Sequence, residues 1–284
     1  AGVATFFSLI ANMTFATIAE AMFGPEIARA LGPVLAAPLT EEGSKALGLV
    51  LIVVFLRRHF DGMLDGIVYA GMIALGFATV ENVLYYGSAI LRGGLFQAFF
   101  TRGILGPFGH ALFTSLTGIG IGLARESRQT ALQRWGLPAL GSAGAVTLHF
   151  TWNAVATFFG AAYFVAYIVF WVPLFIGFVG FLVYLMRREL LILRRQLTLA
   201  VSESLIKAEE DHIATWIVQR LLWTSAMVGD MRRFHARRQF LSACSRFGLC
   251  QWHAERAALA GGQTVSLQSL PGFRDEILQL QRQI

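Results

Sequence analysis

Four stretches of this sequence set acids, imidazoles and amides into otherwise apolar runs. Ala36-Ala37-Pro38-Leu39-Thr40-Glu41-Glu42-Gly43-Ser44-Lys45 puts two carboxylates and an ammonium at the head of one run, with Thr40 placed to cap a helix and Ser44 on its first turn. Gly76-Phe77-Ala78-Thr79-Val80-Glu81-Asn82 carries an acid and an amide inside the next. Pro107-Phe108-Gly109-His110 opens a third, and Leu148-His149-Phe150-Thr151-Trp152-Asn153 lies within a fourth. Carboxylates and imidazoles gathered in a half-dry pocket suit general-base activation of a water. An amide or a second imidazole can donate to the oxyanion that then develops. The same residue types also make a zinc site where they converge around an open position, with Glu81, His110 and His149 as the ligands to expect. No HExxH helix occurs, which excludes a zincin, and no GxSxG elbow supports serine catalysis.

Helical spacing brings these residues together in pairs. Glu41 and Lys45 are i,i+4 and pair on one face, while Glu42 points about 100° away. Phe77 shares a face with Glu81, and His149 with Asn153, each again at i,i+4.

The elements that must carry them are membrane helices. Of 284 residues, 56% are hydrophobic and only 14% charged, and the mean hydropathy is +0.60. A soluble domain has about 25% charged residues, so a soluble globular fold is excluded as the general plan. The 24 Phe and 29 Gly fit lipid contact and close helix packing. Two cysteines, Cys244 and Cys250, make neither a disulfide framework nor a zinc knuckle. Apolar runs approaching the roughly 20 residues that span a bilayer lie at 3–23, 36–56, 66–91, 104–124, 137–159 and 162–186. None has the basic start of a cleaved signal peptide. The fold class expected is therefore an all-α polytopic transmembrane bundle of about six spans, followed by a mainly helical tail.

Charge orients the bundle. Arg57 and Arg58 follow the second run, Arg125, Arg128 and Arg134 the fourth, and Arg187, Arg188, Arg194 and Arg195 the sixth. The alternate loops hold only Arg29, Arg92 and Arg102, the last reading as an interface anchor. The positive-inside rule then puts both termini in the cytoplasm. Residues 1–186 hold 9 of the 23 Lys and Arg, so two domains are expected: a membrane-embedded one over 1–186 and a basic cytoplasmic helical tail over 187–284. Net charge is +6, but orientation accounts for it, and no nucleic-acid partner is expected.

The polar stretches also share a depth. At 1.5 Å per residue, Glu41 stands roughly 24 Å from Arg57, Glu81 about 24 Å from Asp65, and His110 about 22 Å from Arg125. His149 and Asn153 stand roughly 18–24 Å from Leu137. With helices running alternately up and down, all four stretches meet in the outer half of the bilayer. A charged group there costs about 2.5–3.5 kcal/mol, so these side chains are expected to line one cavity.

Glu41-Glu42-x-x-Lys45, Phe77-x-x-x-Glu81-Asn82, His110 and His149-x-x-Trp152-Asn153, in this order on successive apolar runs, resemble the PrsW family of intramembrane proteases, relatives of the CAAX prenyl endopeptidases. The resemblance covers roughly residues 30–160. It implies a membrane-embedded endopeptidase that works with glutamate and histidine around a catalytic water, in a family long described as metalloproteases. It implies a membrane-anchored protein substrate of the anti-sigma-factor kind, cut near the extracytoplasmic side of a bacterial or archaeal cell membrane. Residue by residue, it implies that Glu41 and Glu42 supply the base. Glu81, His110, His149 and Asn153 complete the site, and Lys45, Phe77 and Asn82 support it. No cofactor is expected if glutamate activates the water alone; zinc is the alternative.

Two other classes compete. A proton-coupled transporter would use the same intramembrane acids as a relay, but it would usually show inverted repeats, and no second Glu-Glu-x-x-Lys occurs. A scaffold would leave the membrane acids unexplained while suiting the tail, whose pairs Arg232-Arg233 and Arg237-Arg238 fit lipid headgroups or self-association. His59, His212, His235 and His253 fall outside the apolar runs and read as solvated.

Overall fold

Long runs of Ala, Leu, Ile, Phe and Val that lack the two-residue alternation of a half-buried strand fold as helices. The computed structural model describes residues 2–56, 60, 62–126, 130–259 and 265–284, and contains no strand among them. Arg57, Arg58, His59 and Arg128 lie outside the described residues. The chain divides into two compact units, Ala1–Phe181 and Leu182–Ile284.

In the first unit, α1 (Gly2–Phe23) ends at Gly24, whose φ of +82° breaks the helix before Pro25 opens α2 (Pro25–Leu31). A π-helical turn, Gly32–Ala36, joins α2 to α3 (Ala37–Phe55) without a break. Then follow α4 (Met63–Arg92), α5 (Leu95–Ala98), a second π-helical turn at Phe99–Leu105, α6 (Gly109–Glu126) and α7 (Ala131–Phe158). A short α8 (Ala162–Ala166) leads through a third π-helical turn, Tyr167–Trp171, into α9 (Val172–Ser202).

The helix ends are set locally. The Glu126 carboxylate at the end of α6 accepts the Met63 N–H at 3.0 Å, so one helix caps the orphan donors of another. Thr130 and Gln133 form a reciprocal capping box at the start of α7. Thr40, read from sequence as an N-cap, instead lies inside α3. The π-helical turn runs straight into that helix, and the Thr40 hydroxyl donates to Ala36 O at 3.0 Å. It also bonds Asn12 Oδ1 at 2.6 Å, which ties α3 to α1.

Among the described residues, four helical stretches are long and apolar enough to cross a membrane: Gly2–Phe23, Met63–Arg92, Leu95–Glu126 and Ala162–Ser202. The other two expected spans are the helices α3 and α7. Polar content sets them apart: α3 carries Glu41, Glu42 and Lys45 in its first nine residues, and α7 is diluted by Gly, Ser, Thr, His149 and Asn153. The chain is an all-α, polytopic membrane helix bundle.

What fixes α4, α6 and α7 against one another is the absence of side chains. A Cβ on Gly66 of α4 would overlap the Gly118 carbonyl of α6, and a Cβ on Gly118 would overlap the Gly66 carbonyl. Gly141 of α7 meets the Leu116 carbonyl of α6 in the same way. Such small-residue contacts let backbones touch where lipid provides no hydrophobic drive for helix association.

The second unit takes in the end of α9, α10 (Ala208–Thr215), α11 (Ile217–Ser225), α12 (Met231–Leu259) and α13 (Val265–Gln281). Leu193, Leu197, Phe240, Leu241, Phe247 and Ile277 build a core of the soluble kind. Both cysteines are buried in α12, and Arg246 pairs with Glu276 at 2.7 Å across α12 and α13.

Candidate active site

Within the first unit, α3 brings Glu41, Glu42 and Lys45, α4 brings Phe77, Glu81 and Asn82, α6 brings His110, and α7 brings His149 and Asn153. A cavity of about 190 Å³, room for several waters, is lined by Glu41, Glu81, Asn82, His110, His149 and Asn153.

Lys45 is the hub. Its side chain is fully buried, and Nζ donates to Glu42 Oε1 at 2.8 Å and to His110 Nδ1 at 2.8 Å. Glu41 Oε2 is farther, at 3.6 Å, and the Phe77 ring centroid lies at 4.2 Å. Glu41 and Glu42 diverge by about 100° around the helix axis, but Glu42 does not leave the site. It is the tighter partner of Lys45, since i,i+3 also reaches.

Glu42 is saturated. Oε1 takes Lys45 and, at 3.0 Å, His149 Nδ1, and Oε2 accepts the Thr114 hydroxyl at 2.8 Å. A carboxylate can only accept, so His149 donates from Nδ1 and keeps a lone pair on Nε2. For His110 the ammonium claims Nδ1, so its proton sits on Nε2, 3.0 Å from Glu81 Oε2. Both nitrogens of His110 are thereby engaged. Glu81 is further held by Arg102 Nη2 at 2.6 Å.

Glu41 differs. It is buried, its Oε2 has no hydrogen-bond partner, and the nearest cations and imidazoles stand at 3.6 Å (Lys45) and 3.9 Å (His110). Glu81 Oε2 also lacks a well-aligned hydrogen bond, but Arg102 at 2.6 Å and the His110 imidazole at 3.0 Å hold it, so Glu41 is the carboxylate with no cation or imidazole that close.

Glu41, His110 and His149 offer ligand atoms within 4.8 Å of one another, close enough to converge on one ion. That group includes Glu41 where the sequence reading had Glu81, which is drawn to Arg102 instead. Three carboxylates face two cations here, Lys45 and Arg102, leaving one negative charge for a bound cation to balance. Position and donor set, two imidazoles and a carboxylate, thus fit a divalent ion. Its one condition is that His110 release Lys45 or Glu81, because neither of its nitrogens is otherwise free.

Three residues escape a reading from sequence. Arg102, taken there as an interface anchor, enters the site from the second π-helical turn. It donates to Asn82 Oδ1 at 3.0 Å and lies 3.6 Å from the Tyr85 ring centroid. Twenty residues and a non-α turn separate it from its partners, so no helical spacing signals the contact. Thr114 and Tyr85 do carry a signal, one turn beyond His110 and Glu81 respectively. Asn153 lines the cavity but gives one N–H to Pro33 O at 2.7 Å. Phe113 stacks on His149 at 5.2 Å and forms part of the cavity wall.

The sequence pattern of a family described as PrsW family intramembrane metalloprotease matches residues 1–178. The chain belongs to the PrsW family. The PrsW match takes in all four helices of the site and stops before the second unit. Among curated relatives, the Protease PrsW of Bacillus subtilis is 39% identical over 87 residues, 31% of this chain and 38% of the relative. That of Geobacillus kaustophilus is 40% identical over 91 residues, 32% and 38% of the two chains. That of Clostridioides difficile is 39% identical over 82 residues, 29% and 34%. The chain spans about a third of the length of the curated relatives it matches. No solved structure matches it significantly.

Proposed function

We propose that this chain is an intramembrane endopeptidase that hydrolyses a membrane-anchored protein substrate, with Glu41 as the base that activates water. The observation that carries this reading is the contrast between saturated Glu42 and open Glu41. A water in the cavity donates one proton toward Glu41 Oε2 and the other toward His149 Nε2. Its oxygen adds to the scissile carbonyl, and the C–O bond forms as the proton passes to Glu41. The second N–H of Asn153 donates to the oxyanion, which the nearby Arg102 also favours. Collapse breaks the C–N bond, and Glu41 returns the proton to the leaving amine. Glu42 and Lys45 position His149 and His110 and do not touch the substrate.

A second reading is the metal-assisted form of the same hydrolysis, supported by the Glu41–His110–His149 group and by the family's description. Those three residues would hold the ion, which would polarise the carbonyl and lower the pKa of a bound water.

Glu41 and Glu81 also face a second, more open cavity lined by Ser8 and Asn12 of α1, a lateral approach suited to a substrate already in the bilayer. The finer terms of the proposal are a bacterial or archaeal cell membrane, six spans with both termini cytoplasmic, and a site in the outer half of the bilayer. The substrate is of the anti-sigma-factor kind. Residues 1–186 form the protease domain, and 187–284 a cytoplasmic tail. The test is cleavage of a candidate membrane-anchored substrate by purified protein in vesicles, comparing wild type with Glu41→Gln. Loss of cleavage in a folded Glu41→Gln protein is expected; full cleavage would overturn the assignment.

A further inference from the structure

The second unit presents an apolar face that its own core does not use. In α11, Ile217, Val218, Leu221 and Leu222 recur at i, i+1, i+4 and i+5, on one side of the helix, and each is at least 60% exposed. The opposite side is anchored. Trp223 packs on the core beside Phe240, and Arg220 Nη1 donates to Ala214 O at 3.3 Å. Val228 and Met231, also exposed, extend the apolar patch toward α12. The helix is held firmly with its greasy side outward.

The border of this patch is basic. Arg232 and Arg238 are exposed and pair with no carboxylate among the described residues, while Arg233 lies 3.7 Å from Asp230. A groove between α11 and α12 combines Arg220 and Arg238 with the hydroxyls of Thr224, Ser225, Ser242 and Ser245. Thr224, Ser225 and Ser245 spend their hydroxyl protons on the Arg220, Leu222 and Leu241 carbonyls, so the two guanidiniums are the donors, and they match a phosphate in charge. Apolar residues beside that groove match the acyl chains that hang from such a phosphate. The first residues of this unit belong to a helical stretch apolar enough to cross a membrane, Ala162–Ser202.

We propose that α11 and the head of α12 form a membrane-surface contact that takes an anionic phospholipid. Ile217, Val218, Leu221 and Leu222 enter the boundary between headgroups and acyl chains, and Arg220 and Arg238 hold the lipid phosphate. Short amphipathic helices seat their apolar face about 5–10 Å into that boundary, and anionic lipid strengthens the seating. Each basic residue near an anionic surface changes the docked population about fivefold. This surface belongs to the second unit and the proteolytic site to the first, and its test does not depend on proteolysis.

The experiment places a nitroxide on Leu222→Cys in the full chain, reconstituted in vesicles of phosphatidylcholine alone or with phosphatidylglycerol. Oxygen and a water-soluble nickel chelate report immersion by collision. The expected result is a label shielded from nickel and exposed to oxygen in the anionic vesicles, less so in phosphatidylcholine. Arg238→Gln should lower the docked fraction about fivefold, and Arg238→Lys should restore most of it. A label equally open to nickel in both lipids would overturn the proposal, whatever the Arg variants do. So would shielding that persists in detergent micelles and disappears on dilution, since that assigns the face to a second copy of the chain. Immersion independent of Arg238 and of lipid charge would overturn the headgroup site.

Discussion

Lys45 Nζ lies 2.8 Å from His110 Nδ1, and this one contact decides where the His110 proton goes. An ammonium has three donors and no acceptor, so Nδ1 must accept and Nε2 must carry the hydrogen. The imidazole is then aimed at Glu81 as a donor. Lys45 therefore links α3 to the α4–α6 pair through a ring whose tautomer it sets.

Glu41 and Glu42 are neighbours with different duties, and their glutamine variants should separate them. Glu41→Gln should lower cleavage by about 10²–10⁴-fold, the usual worth of a general base, at nearly unchanged thermal stability. Glu42→Gln should lose activity together with stability, because it leaves Lys45 buried against a neutral partner. Cleavage assays and thermal unfolding on the same preparations check this. Equal stability losses in the two variants would contradict the division of roles.

Lys45 and Glu42 should be strongly coupled. Removing one partner of a buried pair costs about 3–5 kcal/mol, whereas removing both often costs little. Lys45→Met and Glu42→Gln should each destabilise, and the double variant should recover much of the loss while remaining inactive. A double-mutant cycle gives the coupling directly; simple additivity would refute it.

Metal content discriminates the two mechanisms. If glutamate alone activates water, exhaustive chelation should leave cleavage intact. If zinc acts, its removal should abolish cleavage and its return restore it, with about one ion per chain by elemental analysis. In that case Lys45→Met, which frees His110 Nδ1, should raise zinc affinity. In the metal-free case it should not.

In the second unit, burial pushes the Cys244 thiol from an ordinary 9.0 up to about 12. The thiolate is the nucleophile, so at pH 9 Cys244 should alkylate about 500-fold more slowly than an unfolded thiol, which is then half ionised. The folded state keeps a proton that the unfolded state releases. The unit should therefore lose stability as pH rises from about 9 toward about 12, and not on acidification. Mass spectrometry after timed alkylation checks the first point. Rapid labelling of Cys244 in folded protein would contradict it.

Much of this fold is written in hydropathy alone. Met63–Arg92 and Leu95–Glu126 announce themselves by length and apolarity, and the i,i+4 pairs His149/Asn153 and Phe77/Glu81 put the cavity within reach of sequence. What hydropathy misses is decided by backbone detail. The π-helical turn Phe99–Leu105 turns Arg102 into the site, and no pattern of apolar residues encodes that turn. The same blindness applied to Thr40, where the unbroken helix from Gly32 removed the need for a cap. Which glutamate is open could not be read either. It depends on Thr114 and His149 arriving from two other helices, 72 and 107 positions away.

The touching backbones of Gly66 and Gly118 carry a consequence for how such a chain can change over generations. Where two side chains meet, a larger residue on one helix can be answered by a smaller one on the other. No such trade exists here, because each glycine faces a carbonyl, and a carbonyl cannot be made smaller by mutation. Gly118→Ala and Gly66→Ala should each push α4 and α6 apart, and no second substitution at the opposite glycine can restore the fit. The two positions are locked without being partners, and the spacing of Glu81 from His110 is inherited along with them.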